Sequence, residues 1–392
     1  MSKVLWLCSW YPHPGDPYEG DFIQRHAKAV AAFIPVTVFY ISQAGSSQTV
    51  NDNKYIAQQT GGVDERIIFF KYRRTGFKII DTLIYNMSYF RAYKKAITEY
   101  FSKEGKPGIV HVHIPMKAGM IARWIKKEWG IPYIVSEHSA HYTNSSDDSF
   151  FAKSYFHRYN VKKIFRDAAA VTNVSNTVGN TLKLLFGLPG VKVIHNTVDT
   201  KFFNYKSNPV HRFRFVHVST MVGHQKNIGG ILNAVELLAQ QRRNFELIMA
   251  GPATKSLENE VVARNLSSIV KFTGEISYPE VALQMQQASA LLLFSRYENF
   301  PCVVIEALCC GLPVIAADTG GVKEAVSEAN GILVQSENEE QLLEAMNAIM
   351  DRYQRYDRNK IAEEAGRKYS FEAIGKRFYE LYSNLKSSKN SQ

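Results

Sequence analysis

Short, β-rich apolar runs alternate with helical stretches along the whole chain, and this pattern limits the possible folds more than any single residue does. The runs are KVLWLCS, VTVFYI, GIVHVHI, PYIVSEH and AAVTNVS, followed by FRFVHVS, FELIMAG, IVKFTG, ALLLFS and LPVIAAD. Strands that return through helices lie parallel with helices on both faces of the sheet. The series occurs twice, interrupted at residues 195–212 (HNTVDTKFFNYKSNPVHR), where Asn, Asp, Ser and Pro break the pattern before a new strand starts at Phe213. A chain of 392 residues also exceeds one ordinary core. The expected architecture is α/β, with two Rossmann-like domains facing each other across a cleft. We place them at residues 1–200 and 201–370, with 371–392 a C-terminal helix packing back on the N-terminal domain. Helical segments are expected at about 339–353, 360–369 and 371–385, the last capped by Ser370.

Cys8, Cys302, Cys309 and Cys310 form no CxxC pair and no Cys/His zinc spacing, so a reduced compartment is the simpler reading. The N-terminus enters a proline-rich turn without a small-residue cleavage site and reads as a first strand, not a signal peptide. No run of eighteen apolar residues occurs. These features lead us to expect a cytoplasmic protein, with the inner membrane face as one place for it. The formal charge of +11 is uneven. Up to residue 195 there are 25 Lys and Arg against 14 Asp and Glu, whereas the rest carries 22 of each. A solvated basic surface accounts for this, and so does a face for an anionic membrane or a phosphorylated acceptor. Nucleic acid is not an expected partner.

In open parallel sheets ligands bind beyond the carboxyl ends of strands. Residues 290–321 (ALLLFSRYENFPCVVIEALCCGLPVIAADTGG) read as a strand ending at Ser295, a polar loop with Glu298, and a helix over about 301–310 that carries Glu306. Pro301 suits the first helical position, and Gly311 with Pro313 suits a stop. By themselves the two glutamates could be a cap and a solvated helix residue. A nucleotide sugar also fits: free helix amides favour phosphate, a carboxylate before them can accept from sugar hydroxyls, and one after them can grip a ribose diol.

Glu298, Phe300, Pro301, Glu306, Ala307, Gly311, Pro313 and Val314 fall on E-x-F-(G/P)-x-x-x-x-E-A-x-x-x-G-x-P-V, so the segment resembles the donor-site signature of the family 4 glycosyltransferases. That resemblance implies a "GT-B" fold, donor binding mainly by the C-terminal domain, and retention of anomeric configuration. It gives Glu298 the sugar hydroxyls and Glu306 the nucleotide ribose, with backbone amides of Asn299, Phe300 and Cys302 near the phosphates. Lys226 and Asn227 match the family's phosphate loop G-R-L-x-x-x-K-(G/N), while its glycine and arginine positions read Ser219 and Thr220. One cation is missing. Gly20, before the first helix, matches a loop glycine beside the donor phosphate, and His138, at the end of PYIVSEH, matches a histidine that reaches the transferring sugar. His111 and His113 line or support the cleft floor, whereas His26 reads equally as packing. HNTVDTKFF is similar to the family's N-G-V-D-x-x-x-F segment at the domain junction, and DTGGVKEAV to its G-G-x-x-E segment after the next strand, with Glu324 a cap or a donor-side contact.

The expected chemistry is transfer of a sugar from a nucleoside diphosphate sugar to a hydroxyl of a sugar or lipid-linked acceptor in surface polysaccharide or glycolipid assembly. His138, Glu298 and Lys226 are the candidate catalytic residues. No metal or other cofactor is expected; no Asp-x-Asp ends a strand, and Asp147 and Asp148 read as solvated. A nucleotide-sugar epimerase of the same fold and a non-catalytic nucleotide-sugar-binding partner of an assembly complex stay open as alternatives. A dinucleotide-binding enzyme does not, because no G-x-G-x-x-G follows a strand.

Overall fold

The computed structural model describes residues 3–43, 55–142, 149–207, 212–221 and 224–387. Asp147 and Asp148 lie outside them. The first half builds an eight-stranded sheet from β1 (Val4–Cys8), β2 (Val36–Gln43), β3 (Tyr55–Thr60), β4 (Val63–Phe70), β5 (Ile109–His113), β6 (Tyr133–Glu137), β7 (Ala170–Asn173) and β8 (Lys192–Val193). Its helices are α1 (Asp21–Ala31), α2 (Lys78–Glu104), α3 (Ala118–Trp129), α4 (Tyr155–Asp167) and α5 (Asn176–Phe186). The second half interleaves β9 (Phe213–Val218), α6 (Ile228–Gln241), β10 (Phe245–Ala250), α7 (Lys255–Ala263), β11 (Val270–Gly274), α8 (Tyr278–Gln287), β12 (Ala290–Leu293), α9 (Cys302–Cys309), β13 (Val314–Ala317) and β14 (Gly331–Val334). The chain ends in α10 (Glu339–Arg352), α11 (Arg358–Tyr369) and α12 (Phe371–Ser387).

The strand orders are β3-β4-β2-β1-β5-β6-β7-β8 and β11-β10-β9-β12-β13-β14, parallel except for β3 against β4. From β9 outward the second sheet reads first strand, second, third on one side and fourth, fifth, sixth on the other. That order creates a crevice where the connections change direction, between β9 and β12, and the first sheet has the equivalent crevice between β1 and β5. Pairing of β9 with β12 covers only Phe215 with Ala290 and Val216 with Leu291. Beyond it the two strand ends are free to carry different loops.

Every residue of β1, β5, β6, β10, β12 and β13 is buried, as strands covered on both faces require. The β3–β4 hairpin is absent from the strands read in the sequence. It turns at Gly61 and Gly62, both with positive φ (58° and 85°), in the two-residue geometry that matches strand twist. β8 and β14 are likewise additional. Helix α12 packs on α1, and its Ile374, Phe378, Leu381 and Tyr382 join the N-terminal core of Val4, Trp6, Ile23 and Ala27. Ser370 caps it, accepting from the Ala373 amide at 3.3 Å.

Candidate active site

The loops beyond β9 and β12 are tied together at the crevice. The Arg296 amide donates to the Gln225 carbonyl (2.8 Å), the Gln225 side chain to the Tyr297 carbonyl (3.0 Å), and Arg296 Nη1 to the His224 carbonyl (2.6 Å). Lys226 Nζ thereby reaches Glu298 Oε1 at 2.5 Å. Asn227, which starts α6, is held left-handed at φ 49°, as is Met221 earlier in the loop at φ 53°. Left-handed non-glycine residues concentrate where a site dictates the backbone. Gly320 (φ 57°) lies so close behind Glu298 that a Cβ would sit 1.9 Å from the Glu298 carbonyl oxygen. Only glycine leaves room there.

Helix α9 begins one residue later than its sequence suggests. Pro301 has φ −69° and ψ 125° and is the cap, so Cys302 is the first helical residue, not Pro301. The amides of Cys302 and Val303 have no carbonyl one turn back to bond, which leaves donors at the crevice. Asn299 and Phe300 take further roles through their side chains. Asn299 Nδ2 donates to the carbonyls of His138 (2.9 Å) and Ser139 (3.2 Å), and its Oδ1 accepts from Ser175 at 2.6 Å. Phe300 is buried with its ring stacked on His195, centroids 4.4 Å apart.

Asn299 is one such bond across the two halves, and Glu324 makes another. The Glu324 carboxylate accepts from the amides of Asn176 (2.9 Å) and Thr177 (3.1 Å), capping α5. Of the two roles open to Glu324, the structure shows the cap.

Glu306 lies on α9 as expected, yet its carboxylate is not open. Oε1 accepts from Arg25 Nη1 at 2.9 Å, and both side chains are about nine-tenths buried or more. Arg25 comes from α1 in the other half of the chain and also lies over the Tyr278 ring, 4.7 Å to the centroid, with Asp21 at 3.4 Å. Burial holds the Glu306 carboxyl above its ordinary range, against the pull of the Arg25 charge. Burial alone would lower Arg25, but Asp21 and the groups around it, Glu306 included, hold it well above its ordinary value. Arg25 is the site residue that sequence reasoning missed. Its partner is 281 positions away, and the only local hint is that Arg25 falls three residues after Phe22 and four before Ala29, on the apolar side of α1.

His138 follows the end of β6. The preceding Glu137 turns back to accept from the amides of His138 and Ser139, both at 2.8 Å, which shapes the loop. His138 Nε2 lies 3.0 Å from His113 Nδ1, so His113 supports it from the sheet. Phe22 (5.1 Å) and His26 (5.5 Å) of α1 lie against its ring. His26 bonds the His195 carbonyl at 3.1 Å and His111 bonds Ser136 and Tyr382, each at 2.7 Å. Burial, with help from neighbouring histidines, pushes His138 and His113 well below the usual imidazole range, so both are neutral at pH 7. Nδ1 of His138 is buried without a hydrogen-bond partner. Gly20 has φ 64°, and a Cβ on it would sit 2.7 Å from the Trp10 carbonyl carbon, so the turn into α1 requires glycine.

The geometry thus gathers Lys226, Glu298, the start of α9, Glu306 and Arg25 around one crevice. Asn299, next to Glu298, joins it to the His138 loop. Among the described residues no group of three or more His, Cys, Asp or Glu is placed to hold a metal ion. No helix among them is long and apolar enough to cross a membrane.

Residues 200–368 match the family Glycosyl transferases group 1, and residues 23–202 match Glycosyltransferase Family 4. The chain belongs to the family 4 glycosyltransferases of GT-B fold. It is 30% identical over 244 residues to an uncharacterized glycosyltransferase of Methanocaldococcus jannaschii, a match spanning 61% of this chain and 65% of that relative, just under two thirds of its length. The putative teichuronic acid biosynthesis glycosyltransferase TuaC of Bacillus subtilis is 24% identical over 366 residues, 88% of each chain. Among solved structures, sucrose-phosphate synthase from Thermosynechococcus elongatus superposes with a TM-score of 0.78 at 19% identity, covering 99% of this chain and 100% of that one. HepE of Anabaena in complex with UDP and glucose gives a TM-score of 0.71 at 18% identity, over 98% and 100%. These likenesses agree with the two-domain architecture of the sheets.

Proposed function

We propose that the chain transfers a sugar from a nucleoside diphosphate sugar to an acceptor hydroxyl, with retention of configuration and without a metal. The observation that carries this is the Lys226–Glu298 pair at the β9/β12 crevice, beside the start of α9 and joined through Asn299 to the His138 loop. An ammonium and free helix amides can take up the charge that builds on a departing diphosphate. Glu298 can accept from sugar hydroxyls, and the leaving phosphate can take the acceptor's proton, so no separate base is required. The relatives favour the same reading: HepE was solved with UDP and glucose, TuaC is named for teichuronic acid biosynthesis, and a Streptococcus pneumoniae relative is an alpha-monoglucosyldiacylglycerol synthase. Surface polysaccharide or glycolipid assembly is the setting we infer.

Arg25 supplies the second cation that Thr220 does not. A buried carboxylate exchanges an arginine for a ribose diol only if the arginine gains another anion, and the donor's phosphates are that anion. In this reading nucleotide binding moves Arg25 from Glu306 to the diphosphate. Arg25→Ala should therefore weaken nucleoside diphosphate binding by about 10- to 100-fold, since charge-assisted hydrogen bonds contribute about 1.5–3 kcal/mol. The parent nucleoside, lacking phosphates, should bind as well or better, because Glu306 is released for its ribose. Calorimetric titration of both ligands checks this. An equal loss for nucleoside and diphosphate would make Arg25 a structural partner of Glu306 only.

A further inference from the structure

Helix α2 starts eleven residues before its first buried side chain: none from Lys78 to Ser88 is buried, and the buried set opens with Tyr89. Those three turns are nevertheless apolar. Phe77, Ile79, Ile80, Leu83 and Met87 are all exposed, Ile79 to 79% and Met87 to 68%. Phe151, Tyr155, Phe156 and Tyr159, on and just before α4, are exposed as well. Together these are nine of the seventeen exposed large hydrophobic side chains among the described residues. A groove of about 1250 Å³ joins the two sets, running between Leu83, Met87 and Phe90 on one side and Met116, Met120 and Phe156 on the other. Soluble surfaces rarely leave so much apolar area together without a use for it.

Charge identifies what covers it. Residues 71–95 and 149–163 hold eleven Lys and Arg against one Asp, and Glu99, which also lines the groove, is paired with Lys95 at 3.9 Å. The exception, Asp81, is occupied in the first turns of α2, where it accepts from the Thr75 and Gly76 amides. An apolar ridge bordered by cations matches a surface with anionic head groups over an acyl layer. A protein partner would need an equally extended acidic and apolar face.

Position gives the surface a consequence. α2 follows the carboxyl end of β4, the Met116 loop follows β5, and α4 follows β6, so the ridge lies at the same sheet edge as His138 and the Gly20 turn. We propose that the amino-terminal turns of α2 and α4 form a docking surface for an anionic bilayer, with the cleft opening toward the lipid–water boundary. Docking does not depend on the donor chemistry. Its corollary, that the acceptor is anchored in the membrane, rests on the glycosyl-transfer reading.

The full chain should be mixed with vesicles of phosphatidylcholine alone and with about one third phosphatidylglycerol, at low and high salt, and floated. Partitioning to the anionic vesicles should be about tenfold stronger, and it should weaken with salt. Phe77→Ser with Met87→Ser should lower it about tenfold, and Arg73→Ser with Arg74→Ser and Lys78→Ser should remove the preference for anionic lipid. Nucleoside diphosphate affinity, measured on the same samples, should be unchanged. A wild type that binds vesicles but no nucleotide would defeat the donor reading and leave docking intact. Equal binding to both vesicle types overturns docking. So do variants that bind like wild type, or a wild-type dimer that Phe77→Ser with Met87→Ser separates while vesicles are ignored.

Discussion

Lys226→Ala is expected to lower turnover of the donor by about 10²- to 10³-fold, the loss typical when a preorganised charge-stabilising group is removed. The ammonium is held 2.5 Å from Glu298, and the neighbouring Asn227 keeps a left-handed backbone to start α6. Its charge counts most as the diphosphate departs, so kcat should fall further than ground-state affinity. Some stability should be lost as well, because the Glu298 carboxylate left behind is only 8% exposed, but the rate should fall further. Lys226→Arg should recover part of the rate, since the charge returns on a planar group of different reach. Turnover and thermal melting measured side by side check this; matched losses would identify a structural lysine.

The second large effect concerns the two halves together. Glu298→Gln and His138→Ala should each depress sugar transfer by about 10²-fold or more, while nucleoside diphosphate affinity stays within about threefold of wild type. The motivation is the bridge itself: Asn299 Nδ2 holds the His138 carbonyl at 2.9 Å, so the loop carrying Glu298 and the loop carrying His138 meet across the domains. Neither side chain is needed for the phosphates in the proposed arrangement, which assigns those to Lys226, Arg25 and the α9 amides. His138 is neutral, with Nδ1 unpartnered, and can make a hydrogen bond to a sugar hydroxyl without first losing a proton. Joined domains also exclude water, which limits hydrolysis of the donor. Transfer at the wild-type rate in both variants would remove the two residues from the reaction.

The sequence made the frame legible because its determinants are local. All-apolar strands such as ALLL and VIAA, and the spacing of Glu298 from Glu306, are visible in one short window. The β3–β4 hairpin was missed because β3, YIAQQT, is mostly exposed and offers no apolar run, although the Gly61-Gly62 pair after it is a turn signal. The cap at Pro301 differs from the expected first helical residue by one position, which backbone ψ decides and composition does not. Arg25 was illegible for a different reason. Its role arises from α1 and α9 meeting across domains, and no window of sequence contains both. Likewise the net charge pointed to the N-terminal half, but only the fold shows that the cations border exposed Phe77, Leu83 and Met87.

Binding and cleavage of a nucleoside diphosphate sugar in this crevice can be observed directly. The direct measurement is release of nucleoside diphosphate from a panel of UDP-, GDP- and ADP-sugars, with thermal stabilisation recorded for each. One base should stabilise the protein, and its sugar donor should be turned over slowly by water and faster once an acceptor is supplied. Turnover should collapse in Lys226→Ala. No stabilisation by any of the donors, or release that persists unchanged in Lys226→Ala, would rule out donor cleavage at this crevice. Conversion of the donor to an isomeric nucleotide sugar without any acceptor would replace transfer by epimerisation.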